Sequence, residues 1–261
     1  MDLGLNGKRA LVLGSSQGIG AEIARVLARE GCNVYVGARR LDHIQSLADE
    51  LSEEFNVDAK AYPIDLSDGI SVEKLCEMIT HEWKIDILLN NAGGPPPSSS
   101  TGVPDEIWES SLQSLLMSTI RLSEAAVKGM RERGWGRILT VASSGVIQPI
   151  PNLAVSNTVR SAVVGFTKTL SNEVAKDGIT VNMVLPGRID TERLASIHKA
   201  SANKQGMTYE EFRDNSRSSI PARRFGTAKE FAEVAVFLMS VCASYITGSV
   251  IRVDGGVIQS V

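Results

Sequence analysis

Three glycines, Gly14, Gly18 and Gly20, stand between an apolar run at residues 10–13 and a segment, residues 21–30, with Ile23, Val26 and Leu27 at helical spacing. A strand that turns through glycines into a helix aims free backbone N–H groups at one point. The helix dipole adds positive potential there, which suits a pyrophosphate. Taken alone, the same turn could be purely structural. A second piece of chemistry follows the next apolar run, where Gly37-Ala38-Arg39-Arg40 begins a helical segment. In a dinucleotide fold an acidic residue here would hold both ribose hydroxyls and repel a 2′-phosphate. Arg39 would instead pair with that phosphate, so NADP is expected over NAD. The alternative is that the two arginines only open a solvated helix.

These residues need elements to position them. Apolar runs at residues 33–37, 59–64, 85–89, 137–141, 179–185 and 249–253 read as further strands. Between them, helical spacing predicts helices over 41–55, from the Ser67 or Asp68 cap to about Trp83, over 105–131 and over 152–176. Alternating strands and helices, with strands apolar on both faces, predict an α/β fold. It is a single doubly wound Rossmann-type domain with a parallel sheet, covering residues 1–261. Residues 93–102, rich in Gly, Pro and Ser, follow a strand directly and read as a loop at the carboxyl edge of the sheet, where ligands bind in such folds.

Composition narrows the field. With 43% hydrophobic and 22% charged residues over 261 positions, the chain is an ordinary globular one. Its net charge of −3 gives no reason to expect nucleic acid. No apolar run is long enough to span a bilayer, the first residues show no signal-peptide pattern, and a cytoplasmic location is expected. Cys32, Cys76 and Cys242 lie far apart and read as small buried hydrophobes; His43, His81 and His198 are scattered, so no metal site is expected.

The accumulated motifs resemble the short-chain dehydrogenase/reductase family. They are Gly14 to Gly20, Asp65-Leu66, Asn90-Asn91-Ala92-Gly93, Gly136-Arg137-Ile138 leading to Ser143, Pro186-Gly187 followed by Thr191, and the tail from Tyr245 through Gly248 to Asp254-Gly255-Gly256. They run in family order along essentially the whole chain. The resemblance implies a seven-stranded sheet, a nicotinamide cofactor and a homo-oligomer, a dimer or a homotetramer, with the two long helices packed across a dimer interface. It implies that Gly14, Ser16, Gly18, Ile19 and Gly20 cradle the pyrophosphate, and that Asp65 and Leu66 hold the adenine. Asn90 would brace the central strand. Asn91, Ala92 and Gly93 would lie against the cofactor, with Pro186, Gly187 and Thr191 closing over it. Leu13 stands where the family usually has Thr.

The active site departs from the family pattern. The family uses a Tyr for proton transfer, a Lys four residues on, a Ser that orients the carbonyl, and an Asn that holds a water. Here the Ser position is Ser143, beside Ser144; the Tyr position falls on Ser156, the Lys position on Arg160 and the Asn position on Leu115. A Ser hydroxyl does not ionise near neutral pH and is too short to replace a phenol. Arg160 can still bond ribose hydroxyls but does not titrate there. Among the tyrosines, Tyr209 lies in a segment that could swing in. Arg160 and Arg188, with Arg193 close behind, are expected to face the nicotinamide end, where they would suit an anionic substrate. The expected catalytic set is Ser143, Ser156 and Arg160, with Ser143 and Arg188 on the substrate. Residues 189–220 are expected to cover it.

The resulting expectation is an NADP(H)-dependent oxidoreductase with an atypical site, acting on an anionic carbonyl or alcohol as its small-molecule substrate. Two other readings stand beside it. One is an NADP(H)-binding sensor or interaction protein without turnover; the other is a lyase or isomerase that uses the bound cofactor or the arginines.

Overall fold

The computed structural model describes residues 1–260. Seven strands form one sheet: β1 (Arg9–Leu13), β2 (Asn33–Ala38), β3 (Ala59–Pro63), β4 (Ile87–Asn90), β5 (Gly136–Val141), β6 (Ile179–Pro186) and β7 (Val250–Val253). Their order is β3-β2-β1-β4-β5-β6-β7, and every pairing is parallel. The chain winds outward from β1 to β3, then returns to place β4 on the other side of β1. The carboxyl ends of β1 and β4 therefore open a crevice where the winding reverses.

Helices cover both faces. The residues α1 (Gly18–Arg29), α2 (Leu41–Phe55) and α9 (Ala228–Leu238) lie on one face, burying Ile23, Leu27, Ile44, Leu51 and Phe231 against the sheet. On the other lie α3 (Gly69–His81), α5 (Ser118–Arg133) and α6 (Ala154–Val174), burying Val72, Leu75, Leu122, Met130 and Val174. Each such side chain contributes about 1.5–3 kcal/mol through burial. Asp68 caps α3 by accepting from Ile70 N, one of the two caps expected.

Several expected elements differ in detail. The helix expected over 105–131 is α4 (Asp105–Ser111), a π-helical stretch Leu112–Met117, and then α5. The wider turn shifts the register of Leu115 while the apolar spacing continues on both sides. The helix expected over 152–176 is α6, followed by a 3₁₀ turn, Ala175–Asp177. Between β6 and α9, α7 (Glu192–Gln205) ends at left-handed Gly206. A capping box between Thr208 and Glu211 then starts α8 (Tyr209–Ser218).

The reading of the cysteines as buried is corrected for two of them. Of the cysteines only Cys32 is buried, its thiol pushed up to about 12 by burial; Cys76 is half-buried and Cys242 exposed. His198 is enclosed, 3% exposed, although its segment is polar. It lies between the rings of Phe212 and Phe225, with Nε2 3.2 Å from Ser216 Oγ.

Candidate active site

The glycine turn between β1 and α1 is built for two different neighbours. An added Cβ at Gly14 would sit 2.5 Å from Asn91 O, and one at Gly20 would sit 2.3 Å from Gly14 O, so these two glycines let the backbone fold onto itself. Gly18, at φ +61°, is different: an added Cβ would meet only Thr191, at 3.6 Å. Helix α1 has no side-chain cap at Gln17 and no acidic residue in its first turn. Its first N–H groups are left for an anion, and the room at Gly18 lets one approach. These residues fit the pyrophosphate of a dinucleotide.

Asn91 holds this turn in place. Its Nδ2 donates to Leu13 O and to Gly14 O, each at 3.2 Å, tying the end of β4 to the end of β1. Asn91, expected against the cofactor, thus braces the turn across the crevice. Asn90 itself turns away, donating to Ser123 Oγ at 3.2 Å on α5. Thr191, the N-cap of α7, stands opposite Gly18 and accepts from Leu194 N. Gly187 packs so closely on the C-terminal segment that an added Cβ would lie 2.4 Å from Asp254 Cα.

At the other end of the turn are the two arginines that follow β2. Arg40 donates to Ser16 Oγ at 3.5 Å and to Gln17 Oε1. Asp65 Oδ1 accepts from Ser67 N and Ser67 Oγ, which lowers its pKa below the usual carboxylate value; Arg39 nearby lowers it further. Asp65 Oδ2 makes no such bond with Ser67. Arg39 therefore lies near Asp65, while Arg40, which the sequence reading left aside, reaches over the turn.

The residues expected to do chemistry gather at the ends of β4 and β5. Ser143 follows β5, and its Oγ accepts from Gly145 N at 3.1 Å. Gly145 lies against Asn157, which donates to Ile150 O at 2.9 Å and so fastens residues 143–150 to the first turn of α6. Ser156, beside Asn157, is buried. One turn further, Arg160 is 9% exposed and donates to Val141 O at 3.0 Å and to Ala92 O at 3.2 Å. Burial pulls its pKa down to about 10, and the neighbouring charge of Arg193 pulls the same way. Leu115 packs with Val155 and Val159, and lines a small cavity of about 10 Å³ with Asn90, Thr119 and Arg160.

Two expectations about the site are corrected by this geometry. Arg188 does not stand with Arg160. It donates to Ser216 O at 2.6 Å and to Ser219 Oγ, bracing the end of α8. Arg193 takes the place beside Arg160: its Nη2 donates to Gly94 O at 3.3 Å. Tyr209 is likewise held, its hydroxyl accepting from Arg213 Nη1 at 3.3 Å. Tyr35 and Tyr62 pack on Trp83, and Tyr245 is fully exposed. On α6, Ser161 and Gly165 are exposed. Gly94, Arg193, Asn157 and Arg40 are the site residues the sequence reading passed over or left in the background. For Gly94 the signal was the doubled glycine, Gly93-Gly94.

Residues 14–258 match the family model described as enoyl-(acyl carrier protein) reductase. The chain is 34% identical over 257 residues to the 3-oxoacyl-[acyl-carrier-protein] reductase FabG of Escherichia coli, covering 97% of this chain and 98% of that one. L-sorbose reductase from Gluconobacter frateurii, solved with NADPH and L-sorbose, superposes with a TM-score of 0.94 at 34% identity, with both chains covered in full. YwfH, an NADPH-dependent reductase involved in bacilysin biosynthesis, superposes with a TM-score of 0.93 at 28% identity, over 98% of this chain and 100% of that one. The chain belongs to the short-chain dehydrogenase/reductase family. It is an oxidoreductase by family, and its doubly wound seven-stranded sheet is the fold these structures share.

Proposed function

We propose that this protein is an NADP(H)-dependent oxidoreductase that interconverts a carbonyl compound and its alcohol, with an anionic substrate and a proton supply unlike the family's. The observation that carries the reading is the uncapped N-terminus of α1, open at Gly18 and faced by Thr191, with Arg39 and Arg40 at its far end. NADPH, when bound, would supply a hydride to the carbonyl carbon and become NADP⁺. Gly14, Gly18, Ile19 and Gly20 would hold the pyrophosphate, Arg39 and Arg40 the 2′-phosphate, and Asp65 the adenine through Oδ2. Arg160 would bond the ribose on the nicotinamide side, beside Ala92 and Gly93. Ser143 would orient the carbonyl oxygen. As the carbon–oxygen π pair moves onto oxygen, that oxygen takes a proton, which in this reading comes from water or from a group of the substrate.

Ser156 and Arg160 in the positions of the family's Tyr and Lys support a slow reaction rather than none, since a missing proton-transfer group costs about 10²–10⁴-fold. Residues 189–220, carrying α7 and α8, would cover the substrate. The outward flank of α6, where an added Cβ at Gly165 meets nothing within 4 Å, supports packing of a second copy, in a dimer or a tetramer.

A second reading, cofactor binding without turnover, is favoured by one observation: each of the four tyrosines is packed, hydrogen-bonded or exposed elsewhere. Titration with NADPH and NADH, followed by a screen of neutral and anionic carbonyl compounds for NADPH consumption, separates the two. No binding of either cofactor at millimolar concentration overturns both; binding with no turnover leaves the second.

A further inference from the structure

Arg160 and Arg193 come from different elements and meet at one spot. A Cβ added to Gly94 would lie 3.4 Å from Arg193 Nη2 and 3.9 Å from Arg160 Nη2. Residue 94 has no side chain, so that spot is free. Beside it, an added Cβ on Gly93 would meet nothing within 4 Å. The two guanidinium groups donate only to backbone carbonyls: Arg160 to Val141 O and Ala92 O, Arg193 to Gly94 O. Among the described residues, neither forms an ion pair. The nearby Asp190 is taken by Arg213 at 2.8 Å.

Two like charges side by side repel each other, and burial limits how far water can screen Arg160. Arg137 shows the structural alternative. It is also buried, but it is closed in by the carbonyls of Ser240, Gly136 and Gly178 and by the ring of Trp135. Arg160 instead faces an open place with a second cation across it. Arg193 lies in the first turn of α7, where the positive potential of the helix terminus is offset by Glu192 in the same turn.

We propose that Arg160 and Arg193 form a receptor for a carboxylate carried by the substrate, seated in the space left by the missing side chain of Gly94, and that Arg193 sets the preference for acids over neutral compounds. This rests on the reductase reading above and gives its anionic substrate a place. A carboxylate there accepts a hydrogen bond from each arginine and offsets their mutual repulsion. The pyrophosphate of the cofactor is the other oxyanion that could reach Arg193.

Calorimetric titration of the full chain, with and without saturating NADPH, tests this with malonate as the carboxylate probe and malonamide as its neutral counterpart. Two variants are compared with the wild type. Arg193→Gln removes the exposed cation. Gly94→Ala fills the seat and leaves both arginines in place; its Cβ makes ordinary contacts and its φ is not left-handed. Malonate is expected to bind the wild type about tenfold more tightly than malonamide does, and about tenfold more tightly than it binds either variant. NADPH affinity is expected to stay within about twofold in both variants. Equal binding of malonate and malonamide, or unchanged malonate binding in both variants, overturns the proposal. So does a tenfold loss of NADPH affinity in Arg193→Gln, which would assign that arginine to the cofactor. Failure of NADPH to bind the wild type instead overturns the reductase reading, and the titration without cofactor still decides the receptor.

Discussion

Asn91 reaches from the end of β4 to the end of β1 and donates to two successive carbonyls, Leu13 O and Gly14 O, at 3.2 Å each. One side chain thereby fixes the shape of the turn that offers its N–H groups to the cofactor. Asn91→Ala leaves both carbonyls short of a donor. It should cost about 1–3 kcal/mol of stability and weaken NADPH binding by about tenfold. Denaturant unfolding and cofactor titration measure the two effects separately.

The three glycines of the turn should respond differently to a methyl group. Gly20→Ala drives a Cβ to 2.3 Å from Gly14 O, and should cost about 3 kcal/mol or more. Gly18→Ala meets no such obstacle. It should keep the fold at a cost of about 1 kcal/mol for the left-handed φ while losing cofactor affinity, because the new methyl points into the space over the turn. A Gly18→Ala protein that binds NADPH like the wild type would remove Gly18 from the cofactor site.

Arg39 and Arg40 carry the expected preference for NADP. Arg39→Asp should weaken NADPH far more than NADH, by about tenfold or more in the ratio of their dissociation constants. Arg40→Ala should shift the ratio the same way, since Arg40 already reaches Ser16 on the turn. Equal losses for both cofactors would sink the assignment of the 2′-phosphate.

His198 gives the protein a pH dependence. Burial holds its pKa below the usual 6.5, and the charges of Arg213 and Arg188 lower it further against a weaker pull from Asp190. It is therefore neutral in the fold and takes up a proton more readily in the unfolded chain. Stability is full above the unfolded value and is lost as pH falls through it towards the lower folded value. Melting temperature should fall between about pH 7 and pH 5, and His198→Asn should flatten that stretch of the curve. Identical slopes in the two proteins would contradict this account of His198.

If only the proton machinery differs from the family's, Ser156→Tyr with Arg160→Lys should raise the reduction of neutral ketones by about 10²-fold or more. Steady-state rates for a set of neutral ketones measure it. No gain would mean that the pocket itself has another shape.

Much of this was legible in the chain because local pattern and fold agree. The apolar run into Gly14, Gly18 and Gly20 and the helical spacing after it specify strand, turn and helix without help from the rest. The place of Arg39 directly after β2 was readable in the same way. Other features depend on packing that no local pattern reports. Asn90 and Asn91 are neighbours on a strand end, so the pleat sends one to α5 and the other to the turn, and a one-residue uncertainty in register reverses them. The π-helical stretch Leu112–Met117 leaves no mark in the apolar spacing. Which arginine joins Arg160 is decided by where Thr191 starts α7; that start brings Arg193 to Gly94, while Arg188 goes to the end of α8. His198 is buried by aromatic residues of α8 and of the segment before α9, both distant in sequence.

The most direct test of the account is a single-turnover experiment. The wild-type protein loaded with NADPH is mixed in turn with neutral carbonyl compounds and with keto acids, and the absorbance of the reduced nicotinamide is followed. The account predicts that the absorbance is lost with at least one keto acid, and faster than with its neutral amide. Bound NADPH that stays reduced across the whole set would contradict it and make the protein a binder of NADP(H) rather than a reductase.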